Sequence, residues 1–325
     1  MLYKKNKSET LDTELFRQPT AEYRGTPFWA WNCKLDREQI LRQIDYFKEM
    51  VFGGFHMQSR IGMASEYLSE EFMGHIKACV QKAGAEGMLA WLYDEDRWAS
   101  GAAGGYLTRD KKYRLKHLRF STTHPAQYLE KEEAFDAGKP YFLAAYDVEL
   151  DDAGYLTAYR RIGADEEAKG NKWYASVCTA EDDPWFNNQS YPDTMDQETM
   201  ARFIEITYEA YREAVGEEFD KTVPAIFTDE PNHLCRVGTL PTRAKSNDDI
   251  AVAWSRFFEE KYQECYGEDL LDRLPELFWI TEDRRDAEIK YRYYDFCAEC
   301  FAKSFADQCG KWCEAHGLAL TGHFL

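Results

Sequence analysis

The chain has 325 residues, of which 44% are hydrophobic and 30% charged, and its 58 acidic against 40 basic side chains give a formal net charge of −18. This acidic balance argues against nucleic acid and anionic membrane surfaces as partners, because both attract basic proteins. There is no stretch of about 18 uninterrupted apolar residues and no apolar signal segment near the start, so we expect a cytoplasmic protein. The nine cysteines, an odd number in a long chain, fit reduced thiols better than a disulfide framework.

The chain begins with a polar lead-in at 1–22, followed by alternating strand and helix patterns up to residue 110. Apolar runs predict strands at 26–32, 53–57 and 88–93. Asp36, with Gln39 three residues later, predicts the N-terminus of the first crossover helix, and Ser69 predicts that of the second. This alternation is typical of a parallel sheet with helical crossovers.

The alternation stops in the segment 111–195. The strand patterns 142–150 and 155–159 flank Asp151-Asp152-Ala153-Gly154, which predicts a β-hairpin with a short turn. Because no crossover pattern is present, we expect this segment to be a β-rich insertion on the sheet, without a core of its own.

Helix and strand patterns return in the segment 196–325. They predict helices at about 196–215, 249–265 and 285–316, and strands at 222–228 and 318–325. Together with 23–110, this gives about five βα units, which do not close an eight-stranded barrel. The sequence therefore predicts an α/β fold of the (β/α)8 TIM-barrel type that is incomplete and stops at its fifth strand. A complete open α/β sheet is the alternative.

Polar and acidic residues follow the predicted strands several times over, and packing alone explains this pattern poorly. In parallel barrels the active site lies at the carboxyl ends of the strands, so these residues are the candidates for binding or catalysis, although any one of them could simply cap the next helix. They are Trp31, Asn32, His56, Arg60, Asp94, Glu95, Asp96, Asp229, Glu230 and His323. Trp98, in the loop after the third strand, is a further candidate because it could stack on a sugar ring.

Asp229 and Glu230, which precede Pro231, form the strongest candidate for acid–base catalysis. Glycoside cleavage needs two carboxyl groups, one to protonate the leaving oxygen and one to act as base or nucleophile. We expect Glu230 to be the general acid, with Pro231 restricting it to extended backbone conformations and strand alternation directing Asp229 to the opposite face. Asp94 and Glu95 are candidates for the second catalytic carboxylate.

Two other motifs have simpler explanations than cofactor binding. The glycine-rich run at 101–105 lacks the Lys-Ser/Thr of a Walker motif and the spacing of a dinucleotide fingerprint, which favours a flexible active-site loop. Four cysteines lie in one continuous helical pattern, whereas zinc-finger ligand pairs need a turn between them, so buried helix residues are the better explanation. These cysteines are Cys297, Cys300, Cys309 and Cys313.

Several motifs along the chain form a recognisable set. They are Pro27-Phe28-Trp29-Ala30-Trp31-Asn32, Gly53-Gly54-Phe55, Trp91-Leu92-Tyr93-Asp94-Glu95-Asp96-Arg97-Trp98, the loop from Ser100 to Gly105, and Phe227-Thr228-Asp229-Glu230-Pro231. Together they resemble the catalytic domain of glycoside hydrolase family 106, the α-L-rhamnosidase-like bacterial enzymes, over roughly residues 23–325. The resemblance implies a (β/α) barrel, inverting hydrolysis of terminal α-L-rhamnosides in a plant or microbial glycan, and a calcium ion near the sugar. It also implies a longer protein with β-sandwich modules downstream.

Two alternatives to a rhamnosidase-like hydrolase stay open. The first is a catalytically incomplete fragment that binds a glycan through the strand ends and tryptophans without cleaving it. The second is a retaining glycosidase with Glu230 as the acid/base, from the clan in which the fourth strand usually ends in Asn-Glu-Pro. Here Asp229 stands in place of that asparagine, which makes the second alternative less favourable.

Overall fold

The computed structural model describes residues 9–124, 128–233 and 250–324. Its strands are β1 (Phe28–Trp31), β2 (Gly54–Ser59), β3 (Leu89–Tyr93), β4 (Lys116–Ser121), β5 (Tyr141–Leu150), β6 (Leu156–Ile162), β7 (Asn171–Thr179), β8 (Ala225–Asp229), β9 (Ile250–Trp254) and β10 (Ala319–His323). Its helices are α1 (Thr13–Arg17), α2 (Arg37–Glu49), α3 (Glu70–Ala85), α4 (Lys131–Ala137), α5 (Gln197–Val215), α6 (Phe258–Tyr266), α7 (Leu274–Phe278), α8 (Asp286–Phe301) and α9 (Asp307–Ala315). None of the helices described is long and apolar enough to cross a membrane.

The chain divides into two compact units, each assembled from more than one segment. The first unit contains Met1–Leu107, Met200–Asn232 and Ala306–Leu325, and the second contains Thr108–Thr199 and His233–Phe305. Residues 233–305, which the sequence analysis assigns to the continuing barrel, therefore belong to the second unit. The physical reason is that β9 pairs with β4 and so joins the antiparallel sheet of that unit.

The first unit is built on one parallel sheet with the strand order β1-β2-β3-β8-β10. Phe28 pairs with His56, His56 pairs with Trp91, and His323 pairs with Asp229. This order follows the chain, and the parallel pairing of the first three strands agrees with the predicted crossovers. The strands that the structure describes form no closed barrel, so the mixed α/β class is confirmed and the TIM barrel is not.

Both predicted helix caps in the first unit are present. Asp36 Oδ1 accepts a hydrogen bond from the backbone N–H of Gln39 at 2.8 Å, and Ser69 Oγ accepts one from Phe72 N–H at 3.2 Å. Each cap satisfies a backbone N–H that the first turn of a helix leaves without a partner. The caps fix where α2 and α3 begin. The apolar sides of these two helices then pack on the sheet.

The second unit contains an antiparallel sheet with the strand order β6-β5-β7-β4-β9. The predicted hairpin is confirmed: β5 pairs with β6, and Asp151 Oδ1 in the turn accepts hydrogen bonds from the backbone N–H groups of Ala153 and Tyr155. The aspartate thus supplies the local bonds that a tight turn needs.

The predicted helix at 249–265 is wrong in its first part. Residues 250–254 form β9, in which Ile250 pairs with Phe120 and Trp254 with Lys116, and α6 begins only at Phe258. All five residues of β9 are buried. A short apolar run buried on both sides has no periodicity that separates strand from helix, and pairing with β4 decides the outcome here.

The expectation that the β-rich segment lacks its own core is also wrong. The Phe120 ring of β4 stacks on Trp173 at a centroid distance of 5.1 Å and on Phe278 at 4.7 Å. Tyr146 is fully buried and donates its hydroxyl to the backbone oxygen of Leu271. Residues from both segments of the second unit therefore form one shared aromatic core.

The long helix predicted near the end of the chain is present as α8, a π-helical turn (Ala302–Ala306) and α9. Cys297, Cys309 and Cys313 are at most 1% exposed, and Cys300 is partly buried. The interpretation of these cysteines as helix residues that face a core is confirmed.

Candidate active site

The carboxyl ends of two neighbouring parallel strands bring Asp229, Glu230 and His323 together. Asp229 ends β8 and is paired with His323, which ends β10. One carboxylate oxygen or ring nitrogen from each of the three side chains lies within 4.8 Å of the other two. His323 Nδ1 is 3.3 Å from Asp229 Oδ1, and the hydroxyl of Tyr93, at the end of β3, donates to Asp229 Oδ2 at 2.9 Å.

Glu230 differs from the sequence expectation in its backbone conformation. Its φ angle is 49°, in the left-handed region, so the predicted extended conformation before Pro231 is wrong. β8 ends at Asp229, while the N–H of Glu230 donates to the backbone oxygen of His323 at 2.9 Å. The sheet bond holds the residue in place as the chain turns out of the strand. A left-handed conformation costs a non-glycine residue about 1–2 kcal/mol, and such conformations cluster at functional sites.

The turn at Glu230 also overturns the prediction that Asp229 and Glu230 face opposite sides. Strand alternation applies only while the strand continues. Because it stops at Asp229, the two carboxyl groups converge on the same group of side chains. Sequence alternation alone therefore assigns the wrong geometry to this pair.

Trp98 connects the loop after β3 to Glu230. Its indole Nε1–H donates to Glu230 Oε2 at 2.9 Å, and both residues are half-buried. The other oxygen, Oε1, has no hydrogen-bond partner among the residues that the structure describes. One carboxylate oxygen is thus fixed, and the other is left for a ligand.

Asp94 is fully buried directly after β3. Its Oδ1 accepts a hydrogen bond from the Ser100 hydroxyl at 2.5 Å, and its Oδ2 accepts one from the Tyr208 hydroxyl at 2.9 Å. Burial raises the pKa of the Asp94 carboxyl group to about 7. The two hydrogen bonds lower this pKa, but their effect is smaller than that of burial. Ser100 Oγ also accepts the backbone N–H of Asp229 at 2.7 Å. Asp94 therefore anchors Ser100, which in turn holds Asp229.

Glu95 points into the glycine-rich loop instead of towards Glu230. Its carboxylate accepts hydrogen bonds from five backbone N–H groups, those of Asp96, Gly101, Ala102, Ala103 and Gly104. It is 3% exposed, and burial raises the pKa of its carboxyl group to about 7, although the backbone hydrogen bonds lower it. Gly104, with a φ of 65°, allows the chain to curl around the carboxylate. These bonds make Glu95 the internal anchor of the loop.

Two predicted sugar contacts lie within the packed interior of the first unit. Trp31 is 2% exposed and packs edge-on against Phe72, with ring centroids 5.7 Å apart. His56 lies in the middle of β2, where its ring stacks on Trp91, and burial lowers the pKa of its imidazole to about 4. The Phe227 ring contacts both His56 and His323. Packing accounts for the positions of Trp31 and His56.

The remaining predicted contacts follow the strands as expected, with different exposures. Asn32 is exposed after β1, and Arg60 is half-buried after β2. Asp96 is 7% exposed, with Oδ2 at 3.6 Å from Arg97 Nε.

Three residues that orient the acidic side chains were not among the candidates predicted from the sequence: Tyr93, Ser100 and Tyr208. A signal was present for the two tyrosines, because a buried tyrosine usually needs a hydrogen-bond partner for its hydroxyl. Tyr208 lies on the buried side of α5, and Tyr93 ends an apolar strand just before an acidic run. No comparable signal identifies Ser100, whose role depends on where the loop returns.

Asp229, Glu230 and His323 are the one cluster in the described ranges with side chains close enough to hold a metal ion. Calcium prefers six to eight oxygen ligands. This cluster offers an imidazole and two carboxylates, and one oxygen of each carboxylate already accepts a hydrogen bond from Tyr93 or Trp98. The donor set of this cluster therefore does not fit a calcium ion, and the calcium ion that the family resemblance implies stays a prediction.

Comparison with known proteins supports the fold. Neither a family model nor a curated protein sequence matches this chain. Among solved structures, the chain is similar to a rhamnosidase from Novosphingobium sp. PP1Y, with a TM-score of 0.60 and 11% sequence identity. The similarity covers 98% of this chain and 47% of the enzyme, so the chain spans about half the enzyme's length. At this identity, the match shows a shared fold alone.

Proposed function

We propose that this chain is part of a rhamnosidase-like glycoside hydrolase that cleaves a terminal sugar, with Glu230 as the general acid. The observation that carries the proposal is the placement of Glu230 at the carboxyl ends of the parallel strands, with Oε2 fixed by Trp98 and Oε1 without a partner among the described residues. Carboxyl ends of parallel strands are where (β/α) enzymes carry out their chemistry. The fold shared with a rhamnosidase supports the reaction class.

The geometry suggests which oxygen of Glu230 transfers the proton. The Trp98 N–H occupies Oε2, so the proton of the neutral acid resides on Oε1 and passes to the glycosidic oxygen as the bond from that oxygen to the anomeric carbon breaks. Water attacks the anomeric carbon and gives up a proton to a base. Glu230 is left as a carboxylate, which the Trp98 N–H stabilises.

The partner carboxylate is not Asp94 or Glu95 in this proposal, because hydrogen bonds engage both oxygens of each. Asp229 is not assigned as the base either, because its Oδ2 accepts the Tyr93 hydroxyl at 2.9 Å and its Oδ1 lies 3.3 Å from His323 Nδ1. Inversion at an α-L-rhamnoside, the outcome that the family resemblance implies, therefore requires another base. We assign Asp229 to holding His323 and Tyr93 in place.

Glycan binding without cleavage is the second candidate function. It is favoured by one observation: Asp229, the carboxylate next to Glu230, is engaged by Tyr93 and His323 and is therefore not placed to act as a second catalytic carboxylate. In that case Trp98 and His323 would contact a sugar that is held and not hydrolysed. Asn32, Arg60 and Asp96 remain proposed sugar contacts in either case.

A panel of aryl glycosides, including aryl α-L-rhamnosides, tests the proposal. We expect hydrolysis of at least one member, with the first-formed anomer of the product identified by NMR. For the variant Glu230→Gln, the matched control is Glu217→Gln. Glu217 is an exposed glutamate in the same unit, and its replacement should leave wild-type activity unchanged. Saturable binding of a sugar with no hydrolysis of any panel member would instead favour the glycan-binding function.

A further inference from the structure

The loop between β3 and the glycine-rich run holds the pair formed by Glu230, the proposed general acid, and its neighbour Asp229. It contacts that pair at three points: Trp98 Nε1–H donates to Glu230 Oε2 at 2.9 Å, Ser100 N–H donates to the backbone oxygen of Asp229 at 2.9 Å, and Asp229 N–H donates to Ser100 Oγ at 2.7 Å. Two of these contacts fix the backbone of Asp229 and one fixes the Glu230 side chain. A shift of the loop would therefore move both carboxyl groups.

The tip of the loop contains one short 3-10 turn (Ala103–Gly105), and the Glu95 side chain adds a second set of hydrogen bonds to it. Four consecutive N–H groups converge on the Glu95 carboxylate, three on Oε2 and one on Oε1. The donors and distances are Gly101 at 3.0 Å, Ala102 at 2.7 Å, Ala103 at 2.9 Å and Gly104 at 2.5 Å. Successive backbone N–H groups that converge in this way form an anion-binding nest.

We propose that Glu95 is a positioning residue whose carboxylate fills the backbone nest of residues 101–104 and thereby holds Trp98 against Glu230. Glu95 is buried and its oxygens accept backbone N–H groups, so it acts on the substrate only through the loop. Asp94 supports the same loop from its other side through Ser100. The inference rests on the proposed function as far as activity is concerned, but the nest itself does not depend on it.

Glu95→Ala empties the nest and tests the role by activity. We expect kcat to fall by about 10- to 100-fold, because small displacements of a catalytic group have effects of this size, while KM changes by less than about threefold. Formate is the probe for the vacated nest, since it carries the same carboxylate group. It should restore part of the lost kcat, and chloride at the same ionic strength should not.

The matched control is Glu66→Gln. Glu66 accepts a hydrogen bond from the Tyr106 hydroxyl just beyond the loop, at 2.7 Å, but takes no part in the nest. It should keep wild-type kcat and show no response to formate. If Glu95→Ala behaves like Glu66→Gln, the positioning role is overturned while the proposed function stands.

Hydrogen exchange of the loop amides is a second readout, which does not depend on activity and can first be measured on the wild-type protein. The amide protons of residues 101–104 should exchange slowly with solvent although they lie in a loop, because Glu95 accepts them. In Glu95→Ala, both these amides and the Trp98 indole N–H, identified in NMR spectra by its loss in Trp98→Phe, should lose protection and regain it with formate. Exchange of the wild-type amides at the rate of an open loop would overturn the proposal. Protected amides in a protein that hydrolyses no glycoside would overturn the proposed function alone.

Discussion

Replacing Asp94 by asparagine should change how the stability of the protein depends on pH. Burial raises the pKa of the Asp94 carboxyl group from its ordinary value of 3.8 to about 7 in the folded protein. The folded state therefore binds this proton more tightly than the unfolded state, so the contribution of Asp94 to the free energy of unfolding should fall as the pH rises from about 4 to 7 and level off above that range. The difference between the two pKa values sets an upper limit of about 4 kcal/mol on this change.

Urea unfolding of wild type and Asp94→Asn between about pH 4 and pH 8 measures the effect. Asparagine does not titrate, so the stability advantage of wild type over the variant should shrink by up to about 4 kcal/mol across this range. The exposed Glu217→Gln control should differ from wild type by a nearly constant amount, within about 0.5 kcal/mol. A difference between wild type and Asp94→Asn that is independent of pH would refute the reasoning.

Three further outcomes follow from the packing around the site. Tyr208→Phe leaves Asp94 Oδ2 without its hydroxyl donor and should cost about 1–3 kcal/mol of unfolding free energy in urea titrations, and an unchanged midpoint would contradict that contact. Trp31→Ala should cost about 3–5 kcal/mol, whereas a side chain that only contacts sugar would cost far less. In NMR titrations His56 should stay neutral from about pH 5 to 8, because burial lowers its pKa to about 4, and protonation near 6.5 would contradict its burial.

Local signals predict the parts of this fold that local interactions determine. Asp36 and Ser69 cap helices because their side chains bond N–H groups three residues away, and the Asp151 turn forms for a similar reason. The strand at 250–254 could not be predicted in this way. Its burial and its pairing with Phe120 depend on a segment more than a hundred residues earlier, and the same apolar run would also fit one side of a helix.

In the candidate site, too, local sequence signals predict some features, while contacts between distant parts of the chain determine the others. Strand ends followed by acidic residues identify Asp229 and Glu230 as a pair, because strand ends meet at one edge of a parallel sheet. Their convergence depends on a left-handed turn at Glu230, which is held by a bond to His323 and is not encoded by Pro231. Likewise, the acidic run after β3 suggests catalysis, whereas the returning loop turns Glu95 into an acceptor for backbone N–H groups. Whether an acidic residue at a strand end faces a substrate or accepts backbone N–H groups depends here on where a distant part of the chain comes back to it. Residue type alone does not predict this difference.

The most direct test of the central claim compares leaving groups in Glu230→Gln. Glutamine keeps the shape and the acceptor for Trp98 but has no proton to donate to a leaving oxygen. Turnover of a substrate with a poor leaving group should fall by about 10²–10⁴-fold, while an activated aryl glycoside, which leaves without protonation, should lose much less. The account predicts this steep dependence on leaving-group acidity in the variant and a shallow one in wild type. Equal activity of Glu230→Gln and wild type on the unactivated substrate would contradict the assignment of Glu230 as the general acid.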